Sequence, residues 1–569
     1  MSATAVQSIA HASVKDGLTH HEVLKLASLG NWGAVQGNIH RELMKFVKTQ
    51  NLPDAVIIRA PCIDTNNEET TVRFEDTAVM CPHLWISALS KNEVGLALLS
   101  LDSLNEFWSQ VPADDPRLVG HPVLQESKYQ ETFVPLWVHA DGVEYATSDS
   151  LMTWTCGCVL STTNSMDSMF LMAAFVKSVT AVRATHGHDT WEEIWRVLRW
   201  SLLALWEGTH PLTDWNNKRL DAGSYLGSLQ GQPLVAGGFR FFVWNILGDL
   251  EMYANVLKLP HWNSHRFCWQ CDCSRVDVGK DWTQNWGQTG WAVHDPALYK
   301  FPSPHAIFTL PGVTSWCVCF DMLHCMDNHG ICSNLAGSVL HWLVFEDIRH
   351  LTVKAALIAS QQKLAELWHR LRAIYDELGI TERFSKIFMS MLCNPAKPHS
   401  TWATLKGKGG ETRHFIPVLM QLVKEQLQQK KNCQVRKHMF LALQAACNVY
   451  STCDSQGMFM AAPASRFCLS SMEALLKNYS WFHHHTLDQD MYYCNIVPKC
   501  HFSWHMAYFS KYCNPRHVWT YKCESWVGKV STIAASCAHG TRSSALTVSL
   551  AKKYIVMVSV NLWRVVHDD

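Results

Sequence analysis

Two aspartates stand where apolar, strand-like runs stop. Asp141 follows the run 133–140, and Asp249 follows the run 239–248. Carboxylates at the ends of neighbouring strands are placed to hold Mg²⁺ or Mn²⁺, hard ions that take oxygen ligands and keep positions open for water. An Asp-Gly pair after a strand is also an ordinary turn, so a bland reading stands beside the catalytic one. A third carboxylate has few sources, because the last third of the chain is poor in acids. Glu411 lies in Gly409-Gly410-Glu411-Thr412-Arg413, and Glu524 lies in Tyr521-Lys522-Cys523-Glu524-Ser525-Trp526, ahead of a segment with helical character. Either is equally at home as a surface glutamate.

A second ligand chemistry is written in cysteine and histidine. Cys268-Trp269-Gln270-Cys271 is a C-x2-C pair beside Asp272 and Cys273, and His501-Phe502-Ser503-Trp504-His505 is an H-x3-H pair that shares one face if helical. Two thiolates and two neutral imidazoles suit tetrahedral Zn²⁺ with no open position. A chain with 21 Cys and 30 His also throws up such pairs by chance. Cys156-Gly157-Cys158 and Cys317-Val318-Cys319 alternate along strand-like runs and read as buried thiols. His483-His484-His485 reads as a surface tract.

Some framework must carry these groups. Short β-like runs cover 133–139, 154–160 and 169–176, with turn-prone residues (Asp141-Gly142, Asn164, Asp167) between them. A helix follows over 190–206, with Trp191, Ile194, Trp195, Leu198, Leu202 and Leu205 at three- and four-residue spacing, and then a fourth apolar run over 239–247. Three strands, a helix and a fourth strand sketch a mixed α/β sheet with a helix across one face. Helical periodicity dominates 280–490, for example over 353–378 and 416–431, with Lys406-Gly407-Lys408-Gly409-Gly410 as a flexible basic loop. Residues 1–130 mix helix-like stretches (from Val23, and over 39–47) with polar turns at 64–67 and 112–116, and carry no recognisable chemistry. The division expected is 1–130, a mostly helical region of unknown role; 131–279, the sheet with both aspartates and the C-x2-C pair; 280–490, a helical insertion; and 491–569, the H-x3-H pair with Glu524.

Composition limits the function classes. With 569 residues, 48% hydrophobic and no net charge, the chain is not intrinsically disordered. No charged and apolar leader pattern opens it, and no run approaches 18 apolar residues, so we expect a soluble intracellular protein with reduced cysteines and no membrane partner. The balance of 49 Lys plus Arg against 49 Asp plus Glu hides a polarity. Residues 401–569 hold 19 basic against 9 acidic residues, a net of +10, which residues 1–400 cancel. Zero net charge therefore does not exclude nucleic acid.

In order and spacing together, these residues resemble the catalytic core of cut-and-paste DDE transposases with an RNase H-like fold, in particular the CACTA (En/Spm-like) group, the Transib elements and the V(D)J recombinase catalytic subunit. Asp249 follows Asp141 by 108, Cys268 follows Asp249 by 19, and Glu524 follows His505 by 19. The segments carrying the likeness are Val138-His139-Ala140-Asp141-Gly142-Val143, Gly248-Asp249-Leu250-Glu251, Cys268 to Cys271, and Asp321-Met322-Leu323-His324. It spans roughly residues 130–545. The resemblance implies an RNase H-like mixed sheet interrupted by a long α-helical insertion, with a zinc-stapled C-terminal segment. It implies catalytic roles for Asp141, Asp249 and Glu524 with Mg²⁺ or Mn²⁺, and structural Zn²⁺ on Cys268, Cys271, His501 and His505. Asp321 and His324 match a supporting D-x2-H motif, and Glu411 is the alternative third carboxylate. DNA is the implied partner, a homo-oligomer on DNA ends the implied assembly, and the nucleus the implied location. No zinc finger or helix-turn-helix signature for binding element ends stands in the acidic segment 1–130. That leaves two other readings, a domesticated relative acting as a non-catalytic DNA-binding scaffold, and an RNase H-like nuclease without transposition.

Overall fold

Among the described residues, six strands form one mixed sheet in the order β1-β2-β5-β4-β3-β6. They are β1 Val56–Asp64, β2 Thr71–Val79, β3 Phe133–Ala146, β4 Asp149–Cys158, β5 Phe170–Val176 and β6 Arg240–Leu247. Every neighbouring pair is antiparallel except β3 and β6, which run parallel. The computed structural model describes residues 3–48, 52–64, 70–91, 93–161, 168–276, 305–348, 350–430, 432–538 and 542–567. The expected turn residues 65–67, Asn164 and Asp167, and the boundary drawn at 280, lie outside the described residues.

β3 to β6 fall on the four apolar runs, with one correction. β3 does not stop at Ala140 but continues to Ala146, with Asp141 paired to Thr153 of β4, so Asp141-Gly142 is not a turn. Residues Phe133 to Ala140 are buried on both faces save Trp137, and from Asp141 onward exposed and half-buried positions alternate. Its parallel neighbour β6 ends at Leu247, opposite His139, so Asp141 is the first β3 residue to emerge beyond that cover.

A second correction concerns the segment 1–130. β1 and β2 come from that region and extend the same sheet, so a boundary at 130 cuts through one structural unit. The polar turn at 112–116 is not simply surface either. The Asp115 and Arg117 side chains are fully buried and paired at 2.6 Å. Arg117 also donates to Asn245 Oδ1 of β6 (2.7 Å) and to the Tyr512 carbonyl (3.1 Å), with its guanidinium 3.9 Å from the Trp244 ring centre. Burial alone would lower the pKa of Arg117, but Asp115 outweighs it and raises it, so the cation persists.

The helix Thr190–Glu207 starts where the Asp189 carboxylate accepts from the Trp191 and Glu192 amides, and stops at Gly208, whose φ of 73° suits glycine. Its face of Ile194, Leu198 and Leu205 is fully buried against the sheet. Burying each such side chain is worth about 1.5–3 kcal/mol. Later, helices Ile331–Phe345, Val353–Glu377, Gly409–Gln429, Gln434–Ser455 and Ala462–Leu487 dominate the chain, as their periodicity predicts. Gly409 and Gly410 belong to a helix start rather than to a flexible loop. The last helix, Leu546–His567, returns to the sheet, where the Leu171 amide donates to Tyr554 Oη at 3.0 Å. No helix among the described residues is long and apolar enough to cross a membrane. None of the 21 cysteines is in a disulfide.

Three histidines held in or against the core should make the fold sensitive to acid. Burial lowers the pKa of His83 and His305 to about 3 and of His121 to about 4. In His121 and His305 the ring Nδ1 accepts a backbone amide, from Val123 (3.0 Å) and Ile307 (3.3 Å), a bond that protonation removes. Below the ordinary value of 6.5 the unfolded chain binds protons that the folded chain refuses, so stability falls with falling pH down to the folded values. Each histidine contributes a slope of about 1.4 kcal/mol per pH unit in that window. Urea unfolding should show a midpoint that drops steeply between pH 6.5 and 4.5; an unchanged midpoint at pH 5 contradicts this burial.

Candidate functional site

Three aspartates stand in step on three adjacent extended segments. β3 and β6 are in register at His139 and Leu247, so Asp141 and Asp249 each lie two residues further along. Val318 bridges Ile246 in parallel on the other side of β6, and the Cys319 amide donates to the Ile246 carbonyl at 3.0 Å. Asp321 therefore lies three residues past the bridge, level with Asp249. Neighbouring strands are about 4.8 Å apart, close enough for one ion to reach carboxylates on two of them.

Local sequence sets each group. Asp249 caps the short helix Leu250–Asn255, its Oδ1 accepting from the Met252 amide at 2.6 Å. Gly248 lets the backbones close up at that point, because a Cβ there would lie 2.2 Å from Met252 Cε and 3.1 Å from the Ala140 carbonyl oxygen. Asp141 Oδ1 accepts its neighbour Gly142's amide at 2.7 Å. Burial first, and then the Asp249 carboxylate, push the pKa of Asp141 up to about 7, with Glu524 adding to the rise and His324 opposing it. Carboxylates that repel one another in a partly desolvated corner gain most from a cation.

Glu524 arrives on the helix Tyr521–Ala538, in its first turn. Its Oε1 is 3.4 Å from His324 Nε2. Burial raises the Glu524 pKa, Asp321 and Asp249 act in the same direction, and His324 opposes them. His324 sits in a π-helical turn, Leu323–Asp327, with Nδ1 2.6 Å from Asp321 Oδ2. Burial works against its charge, but Asp321, Asp249 and Glu524 together carry its pKa up to about 9. Asp321 is 3% exposed and accepts from five donors: the Leu323, His324 and Thr520 amides, Thr520 Oγ1 and His324 Nδ1. Burial opposes its ionisation, but these donors hold its pKa below the usual carboxylate value. With its lone pairs committed, Asp321 orients His324 rather than offering oxygens to an ion.

Glu411 is engaged elsewhere. It occupies the third position of the helix Gly409–Gln429 and its Oε2 accepts the Lys408 amide at 2.9 Å, capping that helix start. A cleft of about 380 Å³ opens beside Asp141 and Asp249, with Lys177, Trp191, Glu251 and Asn255 also on its wall. Lys177 lies over Gly142, where a Cβ would be 2.5 Å from its ammonium.

The cysteine and histidine pairs meet. Cys268, Cys271, His501 and His505 are buried, and their ligand atoms all lie within 4.8 Å of one another. Cys268 Sγ is 3.5 Å from His505 Nε2 and Cys271 Sγ is 3.3 Å from His501 Nε2. A tetrahedral Zn²⁺ with Zn–S of about 2.3 Å and Zn–N of about 2.0 Å would set sulfur and nitrogen about 3.5 Å apart, so the donor set and its spacing fit the ion. Both imidazoles face one way because they are four residues apart on the helix Pro498–Phe509. The Gln270 amide points at Cys268 Sγ at 3.4 Å, as befits a thiolate. Burial opposes that thiolate, but Cys271, Cys273 and the two imidazoles hold the Cys268 pKa well below the ordinary thiol value.

No family model matches this chain, and no curated protein matches it. Three residues around these sites escaped sequence reasoning. Cys273, treated only as a neighbour of the C-x2-C pair, has its Sγ 3.4 Å from His501 Nε2. Lys177 lies in no motif. Asp327, fully buried, accepts from Tyr450 Oη and, at 2.6 Å, from Tyr521 Oη. Only its place three residues after His324 could have drawn attention to it. Cys156 and Cys158 are the buried thiols on β4 that alternation predicts, whereas Cys317 belongs to a short 3-10 turn rather than a strand. His485 of the histidine tract stacks on Trp481 at 4.5 Å.

Proposed function

We propose that this chain is a DDE transposase-like enzyme that cleaves DNA strands and joins them with a divalent metal, built on an RNase H-like core. What carries the reading is that Asp141 and Asp249, 108 residues apart in sequence, lie level on adjacent segments beside an open cleft, with Glu524 held against His324 and near enough for its charge to act on Asp141. The sheet supports it: the first aspartate lies on the first strand of the β3–β6 set and the second directly after the fourth, as in the group the sequence resembles. The buried Cys268-Cys271-His501-His505 group supports it too, because a closed Zn²⁺ site there would join the segment after Asp249 to the segment before Glu524.

Asp141, Asp249 and Glu524 would hold Mg²⁺ or Mn²⁺, since their hard oxygens and mutual repulsion suit such ions and the two aspartates open onto the cleft. Bound there, the ions would supply activation of the attacking oxygen, first water and then a 3′-hydroxyl, and stabilisation of the leaving oxygen. The chain's own residues perform the rest. Asp321 bonds His324 Nδ1 and so aims Nε2 of the same ring at Glu524. Lys177 offers an ammonium to a phosphate lying along the cleft. The net positive last third of the chain supplies attraction for a polynucleotide.

Glu524 and Glu411 are separated by one assay. Supercoiled DNA with Mg²⁺ should be nicked by the wild-type chain. Glu524→Gln should slow nicking at least about 100-fold, a loss of about 2.7 kcal/mol in transition-state stabilisation. Glu411→Gln, whose amide oxygen can still accept the Lys408 amide, should stay within about twofold. The reverse pattern would move the third carboxylate to Glu411. DNA binding with no nicking under Mg²⁺ or Mn²⁺ would favour the scaffold reading.

A further inference from the structure

We propose that the turn from Asp321 to Asp327 is a latch that sets the position of Glu524, with Asp321 and Asp327 as positioning residues that grip the head of the Glu524 helix. The inference rests on the metal-dependent reading above and adds how its third carboxylate is held. Two adjacent residues, Thr520 and Tyr521, are gripped from two ends of one turn. Asp321 Oδ1 accepts the Thr520 amide at 2.8 Å, and its Oδ2 accepts Thr520 Oγ1 at 2.7 Å. Asp327 Oδ2 accepts Tyr521 Oη at 2.6 Å. The Thr520 carbonyl in turn accepts the Glu524 amide at 2.9 Å, the first bond of the helix. The path from Asp321 to Glu524 is therefore two hydrogen bonds and one helical turn.

The latch is buried and braced from the helical stretch. Asp327 and Asp321 are 0% and 3% exposed, and Asp327 also accepts from Tyr450 Oη on the helix Gln434–Ser455. Gly409 lets the helix Gly409–Gln429 close onto the same turn, since a Cβ there would lie 2.1 Å from Leu323 Cδ1 and 3.5 Å from Tyr521 Cε1. A π-helical turn, with one residue more than an α-helical turn would carry, is a local irregularity often found at functional sites. Here it puts Asp321, His324 and Asp327 where they address Thr520, Glu524 and Tyr521 respectively. A buried carboxylate held by two tyrosine hydroxyls is costly unless both bonds are made, which pins the geometry. Since an error of about 1 Å at a reacting group costs on the order of 100-fold in rate, a carboxylate delivered on a separate helix needs such a fixture.

The test uses Fe²⁺ in place of Mg²⁺ on the full-length protein, with ascorbate and peroxide, so that hydroxyl radicals cut the backbone next to the bound ion. Wild-type protein should be cut near Asp141, near Asp249 and at 520–526. Tyr521→Phe removes one oxygen and frees the helix head from Asp327. It should weaken the cut at 520–526 at least tenfold while those near Asp141 and Asp249 persist. Nicking kcat should fall by ten- to a hundredfold with DNA affinity unchanged. Thr520→Val, which removes only the hydroxyl bound by Asp321, is the second variant and should act in the same direction. Ser525→Ala, an exposed change on the same helix, should leave all cuts as they are. An undiminished cut at 520–526 in Tyr521→Phe and Thr520→Val overturns the latch. No cut at any of the three places in the wild-type protein overturns the metal-dependent reading itself, and the latch with it.

Discussion

Asp249→Asn should abolish Mg²⁺-dependent nicking, lowering the rate by about 10³-fold or more, equivalent to about 4 kcal/mol of transition-state stabilisation. The choice of asparagine matters because Asp249 has two tasks. It caps the helix Leu250–Asn255 through the Met252 amide, and alanine would remove that cap at a cost of about 1 kcal/mol. Asparagine caps as well as aspartate but brings no charge, so the fold stays while the ligand goes. The neighbouring Asp141 should respond as well. Asp249 is the carboxylate whose charge raises it most, so its pKa should fall once that charge is removed. Carbon-13 NMR of labelled aspartate would read that shift in protein with no metal added. Nicking that persists within tenfold of wild type in Asp249→Asn would remove Asp249 from the active site and the proposed function with it.

Loss of zinc should be the largest effect on stability. Purified protein should carry about one Zn²⁺ per chain, and Cys268→Ser should lose it and lower the urea midpoint sharply, as should a strong chelator. The magnitude follows from what the site joins. Cys271 and His501 are 230 residues apart in sequence and 3.3 Å apart in space, with the aromatic rings of Phe267, Phe320 and Phe502 packed around them. Structural zinc binding in small domains is worth about 10–16 kcal/mol, so even a fraction of that exceeds most single contacts. Without the ion, two thiols and two imidazoles remain in an apolar core, where buried polar groups are expensive. Glu524, which follows His505 by 19, should then lose its placement, so zinc removal should also depress nicking. Wild-type protein that is metal-free and no more stable than Cys268→Ser would refute the zinc site.

The residues legible in the sequence were those whose type alone restricts their chemistry. A C-x2-C and an H-x3-H announce a tetrahedral site whatever the fold, and the two pairs do meet. Four apolar runs and one amphipathic helix were readable because burial imposes a period on a segment, and β3 to β6 and Thr190–Glu207 lie on them. β1 was hidden: Arg59 and Pro61 interrupt Val56–Asp64, and its buried positions follow no clean alternation, because the covering comes from β2 on one side and from helices elsewhere in the chain. Asp115 and Arg117 looked like a polar turn, since nothing local shows that Asn245 and Tyr512 will enclose them.

By itself, then, the sequence determined the secondary elements with strong periodicity, the ligand types and the polarity of charge. Those follow from short-range physics, in which neighbours along the chain share a face or a spacing. Only the tertiary structure decided that Asp141 and Asp249 lie level on adjacent segments, that Glu411 caps a helix while Glu524 faces His324, and that Asp321 and Asp327 hold the head of a helix from far along the chain. Those choices depend on packing between distant segments, and on pairs of polar groups that are tolerable in a core only once both partners are in place.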